Sequence, residues 1–305
     1  KFAPVLAIQG VRQSGKSFLA KQLLPRSLAT AKYVLLDTLT EREFAQSNPS
    51  AFLAKHSEAF PFIIDEAQKA PVLFDEIKAL VDEDRRPGRF LLLGSTEFSR
   101  LTQVRESLTG RMSRIRLYPL TIAETLDLPA LPVLPKNFRQ KKCRITRTQM
   151  VKHLQCGGMP ALFSVRNGAE RHSLIQDWFD LTTKRDVHQF KGVKIDGDLC
   201  FRILEKIALL DVPSAGALAR ALRQDIRRIK THLLVLKTLF VVHELSPHPL
   251  GGGKELYFHC DVGLASHLGA NFERQLYTWT LQEFLSQFSY ADWYQQRMYY
   301  YRAPR

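Results

Sequence analysis

The sequence predicts an α/β fold, a parallel sheet with helices on both faces, followed by a mainly helical region. The first observation is that short apolar runs alternate with amphipathic segments from residue 4 to about residue 128. The second is that helical patterns dominate from about residue 150 onward. Alternating strands and helices are typical of parallel sheets, because each crossover connection places a helix on a face of the sheet.

Five apolar runs in the first part have the length and turn-residue boundaries of buried strands. They are PVLAIQ (4–9), KYVLLDT (32–38), PFIIDE (61–66), RFLLLGST (89–96) and SRIRLYPL (113–120). The segments between them have the pattern of amphipathic helices. The run of strands therefore predicts one sheet for residues 1–128.

A proline-rich and basic stretch follows this part of the chain. LPALPVLPKNFRQKKCRITRTQM contains three prolines and no acidic residue, which is typical of a domain boundary. The predicted organisation is an α/β domain (1–128), a basic linker (129–149), a helical region (150–212), a winged helix-turn-helix (213–260) and the start of a C-terminal region (261–305).

The winged helix-turn-helix is predicted from the order of its elements. A short helix capped by Ser214, a tight turn near Arg223, a longer helix and two strands joined by a glycine-rich loop follow one another. On the longer helix the apolar stripe expected to be buried is Ile226, Ile229, Leu233 and Leu236. The residues expected on the opposite face are Arg227, Arg228, Lys230 and Thr231.

Positive charge is concentrated in the C-terminal part. The net charge is +14, and residues 129–305 carry 26 Lys and Arg against 15 Asp and Glu. A basic half favours an anionic partner, and double-stranded DNA is the expected one, whereas a solubilising surface charge is the alternative. The linker adds basic residues without acidic ones: Lys136, Arg139, Lys141, Lys142, Arg144 and Arg147.

Other features of the composition limit which classes of protein are expected. No run of about 18 apolar residues is present, which predicts a soluble, cytoplasmic protein without a membrane partner. The chain opens on a strand without an initiator Met, as a fragment would. The four cysteines and three histidines near the wing have no metal-ligand spacing and are interpreted as structural: Cys143, Cys156, Cys200, Cys260, His243, His248 and His259.

A phosphate-binding motif follows the first predicted strand. GVRQSGKS matches G-x-x-x-x-G-K-[ST] in full and precedes a helix, which refines the fold class to an α/β P-loop NTPase. Lys16 is expected to reach the β- and γ-phosphates, and Ser17 to supply a hydroxyl to Mg²⁺. The residues predicted to bind the nucleotide are Gly10, Val11, Arg12, Gln13, Ser14, Gly15, Lys16, Ser17 and Phe18.

Two carboxylates end another predicted strand, in PFIIDEAQKAP. Asp65 is expected to hold Mg²⁺ through water, and Glu66 to orient or deprotonate the attacking water. The alternative for an isolated pair is a solvated strand end. After a complete P-loop, the catalytic interpretation is favoured.

Further site residues are predicted with alternatives. Ser95 or Thr96, at a third strand end, would hydrogen-bond the γ-phosphate or the water, or else cap an ordinary helix. Arg105 and Arg111 would each neutralise charge on the transferring phosphoryl group, within the chain or across a subunit interface, and Arg111 is preferred because it follows a glycine at a turn.

A guanine-reading motif is rejected. TKRD (183–186) matches [NT]-K-x-D, but it lies in a helical stretch beyond the sheet, where no strand end presents it. ATP is therefore favoured over GTP.

These motifs together resemble one family, the bacterial and archaeal AAA-type ATPases that carry a characteristic C-terminal domain of unknown function. The resemblance extends from GVRQSGKS through PFIIDEAQKAPVLFDEIKALVDEDRRPGRFLLLGST and ESLTGRMSRIRLYPLTIAE. It continues in GGMPALF, WFDLTTKRDV and ELYFHCDVGLASHL, and so covers nearly the full chain.

The resemblance implies an ATPase, a winged-helix module after the P-loop domain and a nuclease-like fold at the C-terminus. The chain departs from the family pattern at Leu93, where threonine is usual, and at Thr96-Glu97, where an asparagine is usual. The nuclease-like fold would begin around WTLQEFLSQF, with Glu283 as its first acidic position. The sequence ends before the remaining acidic residues of such a metal site, so no nuclease is predicted.

The first functional hypothesis is an ATP-hydrolysing switch in which closure around the nucleotide moves the basic part of the chain, acting on DNA. The second is a DNA-binding regulator with slow or incidental turnover of ATP. A third is a scaffold ATPase whose winged helix docks protein or another copy of the chain.

Overall fold

The computed structural model describes residues 3–23, 30–100, 108–128, 145–190, 192–290 and 298–303. The chain divides into two compact units, Lys1–Leu117 and Tyr118–Arg305. Residues 118–128, assigned above to the α/β domain, lie in the second unit by this division. Most of the basic linker falls outside the described residues, and the finer domain boundaries stay predictions.

The first unit is built on a five-stranded sheet in which every neighbouring pair is parallel, in the order β2-β3-β4-β1-β5. The strands are β1 (Val5–Gln9), β2 (Lys32–Leu35), β3 (Phe62–Asp65), β4 (Phe90–Gly94) and β5 (Met112–Arg116). All five predicted strands and the parallel sheet are confirmed, but the expected burial of the fifth was wrong: β5 is an edge strand of the sheet, and its residues are exposed or half-buried.

The helices of this unit lie between the strands along the chain. They are α1 (Lys16–Phe18), which continues as a π-helical turn (Leu19–Leu23), α2 (Leu39–Ser47), α3 (Pro49–Ala54) and α4 (Leu73–Glu83), with short 3₁₀ turns at Ala67–Lys69 and Phe98–Arg100. Asn48 accepts a hydrogen bond from Ala51 N at 3.1 Å and so caps α3, and Pro49 at the first helical position has no N–H that would need an acceptor.

Both faces of the sheet are packed. Successive residues of a strand point to opposite faces, and Ile64 belongs to a core cluster with Phe74 and Ile77 of α4. Its neighbour Ile63 belongs to a second cluster, with Ala20 of the π-helical turn. Two buried layers explain why the inner strands β1, β3 and β4 are apolar without alternation.

The second unit is mainly helical, as the sequence predicts. Its helices are α5 (Ile122–Thr125), α6 (Arg147–Cys156), α7 (Pro160–Phe163), α8 (Gly168–Lys184), α9 (Gly197–Leu209), α10 (Ala215–Leu222), α11 (Ile226–Thr238), α12 (Val262–His267) and α13 (Phe272–Tyr290), with a 3₁₀ turn at Asp186–Gln189. Strands β6 (Val242–Pro247) and β7 (Leu256–His259) are antiparallel, and β8 (Tyr299–Tyr300) pairs with β6 in parallel.

Helices α10 and α11 are joined by a tight turn, as expected. Ser214 Oγ accepts a hydrogen bond from Ala217 N at 3.3 Å, and Arg223 ends α10 in the left-handed conformation, with φ 52°. The buried stripe of α11 contains Ile229, but Ile226 is 43% exposed, so its predicted burial was wrong. The physical reason is that Ile226 is the first residue of α11, and packing against α9 and α10 begins one turn later.

Two motifs of the family resemblance meet in the second unit. Asp261 is fully buried, and its carboxylate accepts hydrogen bonds from Gly158 N at 2.7 Å and from Gly263 N at 2.9 Å. A Cβ atom on Gly157, whose φ is 72°, would collide with this carboxylate. Burial raises the pKa of Asp261 to about 6. Gly157 is therefore required by Asp261, the capping residue of α12.

Among the described residues, no helix combines the length and the apolar character that crossing a membrane requires.

Candidate nucleotide-binding site

The predicted phosphate-binding loop follows β1 at the carboxyl edge of the sheet. A Cβ atom on Gly10 would lie 2.2 Å from Leu117 O, so this position has room only for glycine. Gln13 and Gly15 both have left-handed backbones, with φ 65° and φ 96°. Turns of this kind direct neighbouring N–H groups to one side of a loop, which is the arrangement that binds anions.

Lys16 is folded back onto its own loop. Its Nζ donates hydrogen bonds to Gly10 O at 2.9 Å and to Val11 O at 2.8 Å. Burial lowers the pKa of Lys16 to about 8, although the charges of Glu66 and Asp65 act in the opposite direction. An ammonium group has three donors, so one remains for a phosphate oxygen.

Ser17 and Asp65 are brought into direct contact. Ser17 Oγ donates a hydrogen bond to Asp65 Oδ2 at 2.5 Å, and Asp65 Oδ1 accepts one from Glu66 N at 2.9 Å. The serine thereby uses its single proton on the carboxylate, and its oxygen lone pairs stay available to a cation. The two residues predicted to hold Mg²⁺ therefore lie together.

The carboxylate of Glu66 is hydrogen-bonded to Ser95, which directly follows the neighbouring strand β4. The backbone of Glu66 is left-handed, with φ 56° and ψ 41°, which is uncommon for a residue with a side chain. Its Oε2 accepts a hydrogen bond from Ser95 Oγ at 3.1 Å and another from Gln68 Nε2. Ser95 therefore contacts the predicted catalytic carboxylate, and its role toward a γ-phosphate stays a prediction.

Three polar residues at this edge, Gln68, Gln9 and Tyr33, are not predicted from the sequence. Gln68 Nε2 also donates to Ser95 Oγ at 3.2 Å, and Gln9 Nε2 donates to Thr96 O at 2.8 Å, which ties the ends of β1 and β4 together. Tyr33 donates to Asp65. Gln68 is only two residues from Glu66 in the chain, and this closeness is the one signal in the sequence that could have suggested a contact between them.

Arg111 does not lie beside the loop of its own chain. It precedes β5, and β5 runs parallel to β1 with Val5 opposite Met112, so Arg111 is at the amino edge of the sheet. The loop is at the other edge, about 15 Å away along a five-residue strand. Arg111 Nε and Nη2 donate to the carboxylate of Asp82 at 2.6 Å and 2.8 Å.

The geometry therefore corrects the expectation that Arg111 acts on a nucleotide within its own chain. Parallel strands place the residue before β5 and the residue after β1 at opposite edges. A role across a subunit interface stays a prediction, and Arg105 lies outside the described residues. Arg116, opposite Gln9 in the register of β5 and β1, is the arginine of this strand at the edge of the loop.

The residues present fit a nucleotide phosphate with Mg²⁺. Ser14 Oγ, within the loop, and Thr96 Oγ1, at the adjoining strand end, are buried and have no hydrogen-bond partner among the described residues. A hydroxyl and a carboxylate are oxygen donors of the kind that Mg²⁺ prefers. Phe18 is 63% exposed beside the loop, and its contact with a nucleotide stays a prediction.

Only part of the basic face of α11 is available for contact with an anionic partner. Arg227 and Lys230 are exposed, and neither forms an ion pair with another described residue. Arg228 donates to Asp196 Oδ2 at 2.8 Å and to Gln224 Oε1 at 2.9 Å, and Thr231 Oγ1 donates to Arg227 O within the helix. Of the four predicted residues, Arg227 and Lys230 are the two that are exposed without an ion pair within the described part of the chain.

Other residues considered in the sequence have structural surroundings. Lys184 of the TKRD segment ends α8 and pairs with Asp180 at 2.8 Å, on a helix as expected. His259 is buried, which lowers its pKa to about 3. Within the described part of the chain, no three His, Cys, Asp or Glu side chains are grouped as a metal site would require.

Glu283, the first acidic position of the expected nuclease-like region, is part of the packing of the second unit. It lies on α13, and its Oε1 accepts a hydrogen bond from Ile122 N at 2.7 Å, at the start of α5. Burial raises the pKa of Glu283 to about 7.

The sheet, the loop and the two carboxylates define a P-loop α/β domain. Residues 3–126 match the family described as an AAA domain, and residues 147–275 match the Domain of unknown function (DUF8612). The chain therefore carries an AAA domain in its N-terminal part, followed by this domain of unknown function, and the resemblance stated from the sequence is confirmed.

The relatives are themselves uncharacterized. The chain is 26% identical over 247 residues to the uncharacterized protein Rv2008c of Mycobacterium tuberculosis and to the uncharacterized protein Mb2031c of Mycobacterium bovis. The match covers 80% of this chain and 50% of each relative, so the chain spans about half their length. A structure of AMPPCP-bound DnaA from Aquifex aeolicus is similar at 13% identity with a TM-score of 0.35, covering 78% of this chain and 82% of that one.

Proposed function

We propose that the chain binds ATP with Mg²⁺ at the P-loop and hydrolyses it, as a nucleotide-driven switch. The observation that carries the proposal is the 2.5 Å contact between Ser17 Oγ and Asp65 Oδ2, beside the carboxylate of Glu66. A loop that only held phosphate would not need a second acidic residue oriented by a neighbouring strand. The AAA domain in residues 3–126 supports nucleotide binding at this place.

The residues have separate parts in the proposed reaction. The loop N–H groups and the free donor of Lys16 bind the phosphates, and Ser17 with Asp65 holds the cation. Mg²⁺ supplies neutralisation of phosphate charge when it is bound. Glu66 orients and deprotonates the attacking water, and Ser95 with Gln68 fixes the direction of that carboxylate.

The test is phosphate release from ATP by the purified chain, with Mg²⁺ and with a chelator. Lys16→Ala removes the ammonium that reaches the phosphates, and the rate is expected to fall about 100-fold or more. Lys32→Ala is the matched control, because it removes an exposed lysine of the same unit at the amino end of β2, away from the loop. An unchanged rate in Lys16→Ala would overturn the assignment.

The proposal extends to DNA through the second unit. Helices α10 and α11, followed by the antiparallel pair β6 and β7, have the element order of a winged helix. The exposed charges of Arg227 and Lys230 support contact with DNA phosphates. Their exposure gives no support to the alternative, in which this face of α11 is covered by protein. A regulator that binds DNA and turns over ATP slowly remains the second candidate.

A gel shift with double-stranded DNA over a series of salt concentrations tests this part. Replacing Arg227 and Lys230 by alanine is expected to weaken binding, and to reduce the salt slope by about 1 for each DNA phosphate that the variant no longer neutralises. The control replaces Lys152 and Arg166, which removes the same charge from another exposed part of the second unit. No binding by the wild type at low salt would contradict the DNA proposal.

Stimulation of ATP hydrolysis by DNA would join the two units in one mechanism, and it distinguishes the switch from the slow regulator. A switch is expected to hydrolyse ATP faster when DNA is bound, whereas the regulator is expected to show the same slow rate. Self-association and a cytoplasmic location stay predictions.

A further inference from the structure

A tyrosine from the edge strand reaches the cation-holding carboxylate. Tyr33 lies on β2, which pairs with β3 so that Tyr33 is opposite Ile63 and Leu35 is opposite Asp65. The hydroxyl of Tyr33 donates a hydrogen bond to Asp65 Oδ2 at 2.5 Å. The side chain is half-buried, and burial together with this hydrogen bond raises the pKa of Tyr33, which keeps the hydroxyl protonated as a donor.

Asp65 accepts from three different segments of the first unit. Its Oδ2 receives the hydroxyls of Tyr33 and Ser17, and its Oδ1 receives the N–H of Glu66. The residue is fully buried. A carboxylate with donors on both oxygens cannot rotate about its terminal bond without losing hydrogen bonds, so its orientation is fixed before any cation arrives.

A cation also contacts one face of the Tyr33 ring. The ammonium of Lys21, on the π-helical turn after the P-loop, lies 4.6 Å from the ring centroid. A cation above an aromatic face is attracted to it. The helical segment that follows the loop and the edge strand that carries the hydroxyl are thus connected through one side chain.

We propose that Tyr33 is a positioning residue for the divalent cation, acting through Asp65. The inference rests on the proposed function, because it assigns Asp65 to cation binding. Outer partners of metal-holding carboxylates raise metal affinity by fixing their ligands, and losing one commonly costs 10-fold to 100-fold. The proposed role of Tyr33 involves no contact with the phosphates, so its effect should depend on the cation.

The test is the affinity of the purified chain for a fluorescent methylanthraniloyl derivative of ATP, measured with Mg²⁺ and again with a chelator. Tyr33→Phe keeps the ring over which Lys21 lies and removes only the hydroxyl. The gain in affinity that Mg²⁺ provides is expected to fall about 10-fold, while the affinity in chelator stays within twofold of wild type. The Mg²⁺ concentration at half-maximal binding should rise by the same factor.

A double variant shows whether the effect passes through Asp65, and a separate variant serves as control. In the background of Asp65→Asn, adding Tyr33→Phe should cause no further loss of the Mg²⁺-dependent gain. Tyr277→Phe is the matched control, because it also removes a hydroxyl that donates to a carboxylate, that of Glu273, in the second unit. This control should bind as the wild type does.

The outcomes separate the inference from the function on which it rests. A wild type whose affinity is unaffected by Mg²⁺ overturns the proposed function and this inference together. A wild type with a clear gain, matched by Tyr33→Phe, overturns the inference alone. An equal loss with and without Mg²⁺ also overturns it, because Tyr33 would then support only the fold.

Discussion

Ser17 Oγ lies 2.5 Å from Asp65 Oδ2, although 48 residues separate them in the chain and β4 lies between their strands in the sheet. The contact is possible because the P-loop carries α1 beyond the end of β1 and across the carboxyl edge. The parallel order then brings the ends of β3 and β4 to the same edge. Every residue assigned to the proposed chemistry belongs to this edge.

Ser95 and Gln68 are predicted to orient Glu66. Replacing either residue by alanine removes a donor to the carboxylate. The kcat for ATP hydrolysis should then fall roughly 10-fold to 100-fold, because a misplaced catalytic group lowers the rate by a factor of this size. The KM for ATP should stay within about twofold, because neither side chain binds the loop. Steady-state phosphate release measures both constants.

Ser99→Ala is the control for this pair, because Ser99 also donates to a carboxylate, that of Glu97, just beyond the same strand. It should leave kcat unchanged. A rise in KM with unchanged kcat in Ser95→Ala would show that Ser95 acts on the nucleotide and not on Glu66.

Arg111 is predicted to be dispensable for hydrolysis by a single chain. Its guanidinium is paired with Asp82 at the amino edge of the sheet, which is remote from the loop. At protein concentrations where light scattering shows a monomer, Arg111→Ala should keep kcat within about twofold of wild type. Asp82→Ala is the matched variant, because it breaks the same ion pair from the other side.

A large loss in the monomeric Arg111→Ala protein, without a loss in Asp82→Ala, would contradict the observed placement. A loss that occurs only at concentrations where the chain associates would instead support action across a subunit interface.

Glu283 is predicted to make the second unit less stable as pH rises. Burial raises the pKa of Glu283 from an ordinary 4.5 to about 7, so the folded chain binds this proton more tightly than the unfolded chain does. The stabilisation is complete below about pH 4.5 and is lost as pH rises through 7. The full effect is on the order of 3 kcal/mol, and Asp261 acts in the same direction.

Glu283→Gln keeps an oxygen that accepts from Ile122 N and removes the titration. The variant should unfold at a higher temperature than wild type at pH 8, and the difference should shrink toward pH 5. Glu273→Gln, an exposed position on the same helix, should follow the wild type at both values. Thermal unfolding followed by circular dichroism measures this, and a Glu283→Gln protein less stable than wild type at pH 8 would contradict it.

The sequence predicts much of the first unit because its signals are local. Buried parallel strands are continuous apolar runs, and the phosphate loop needs glycines at fixed positions, so both can be recognised within ten residues. The Asp65-Glu66 pair is found because it ends one such run. The order of α10, α11, β6 and β7 is likewise given by caps and turn residues such as Ser214 and Arg223.

What the sequence does not predict depends on which strands are neighbours. Tyr33 is one aromatic residue in an apolar run until β2 is known to lie beside β3. The position of Arg111 after a glycine at a turn favours it in the sequence, but only the parallel register shows that this position is at the amino edge, away from the loop. Ile226 fits the helical period, yet burial at the first turn depends on where the packing of α9 and α10 begins.

The most direct test of ATP hydrolysis at this edge is the comparison of wild type with Glu66→Gln in two measurements on the same protein, nucleotide affinity and phosphate release from ATP. The amide keeps the size of the side chain but cannot accept a proton from water. We expect affinity within about threefold of wild type and a rate lowered 100-fold or more. Wild-type phosphate release by Glu66→Gln would contradict the assignment of this edge as a hydrolytic site.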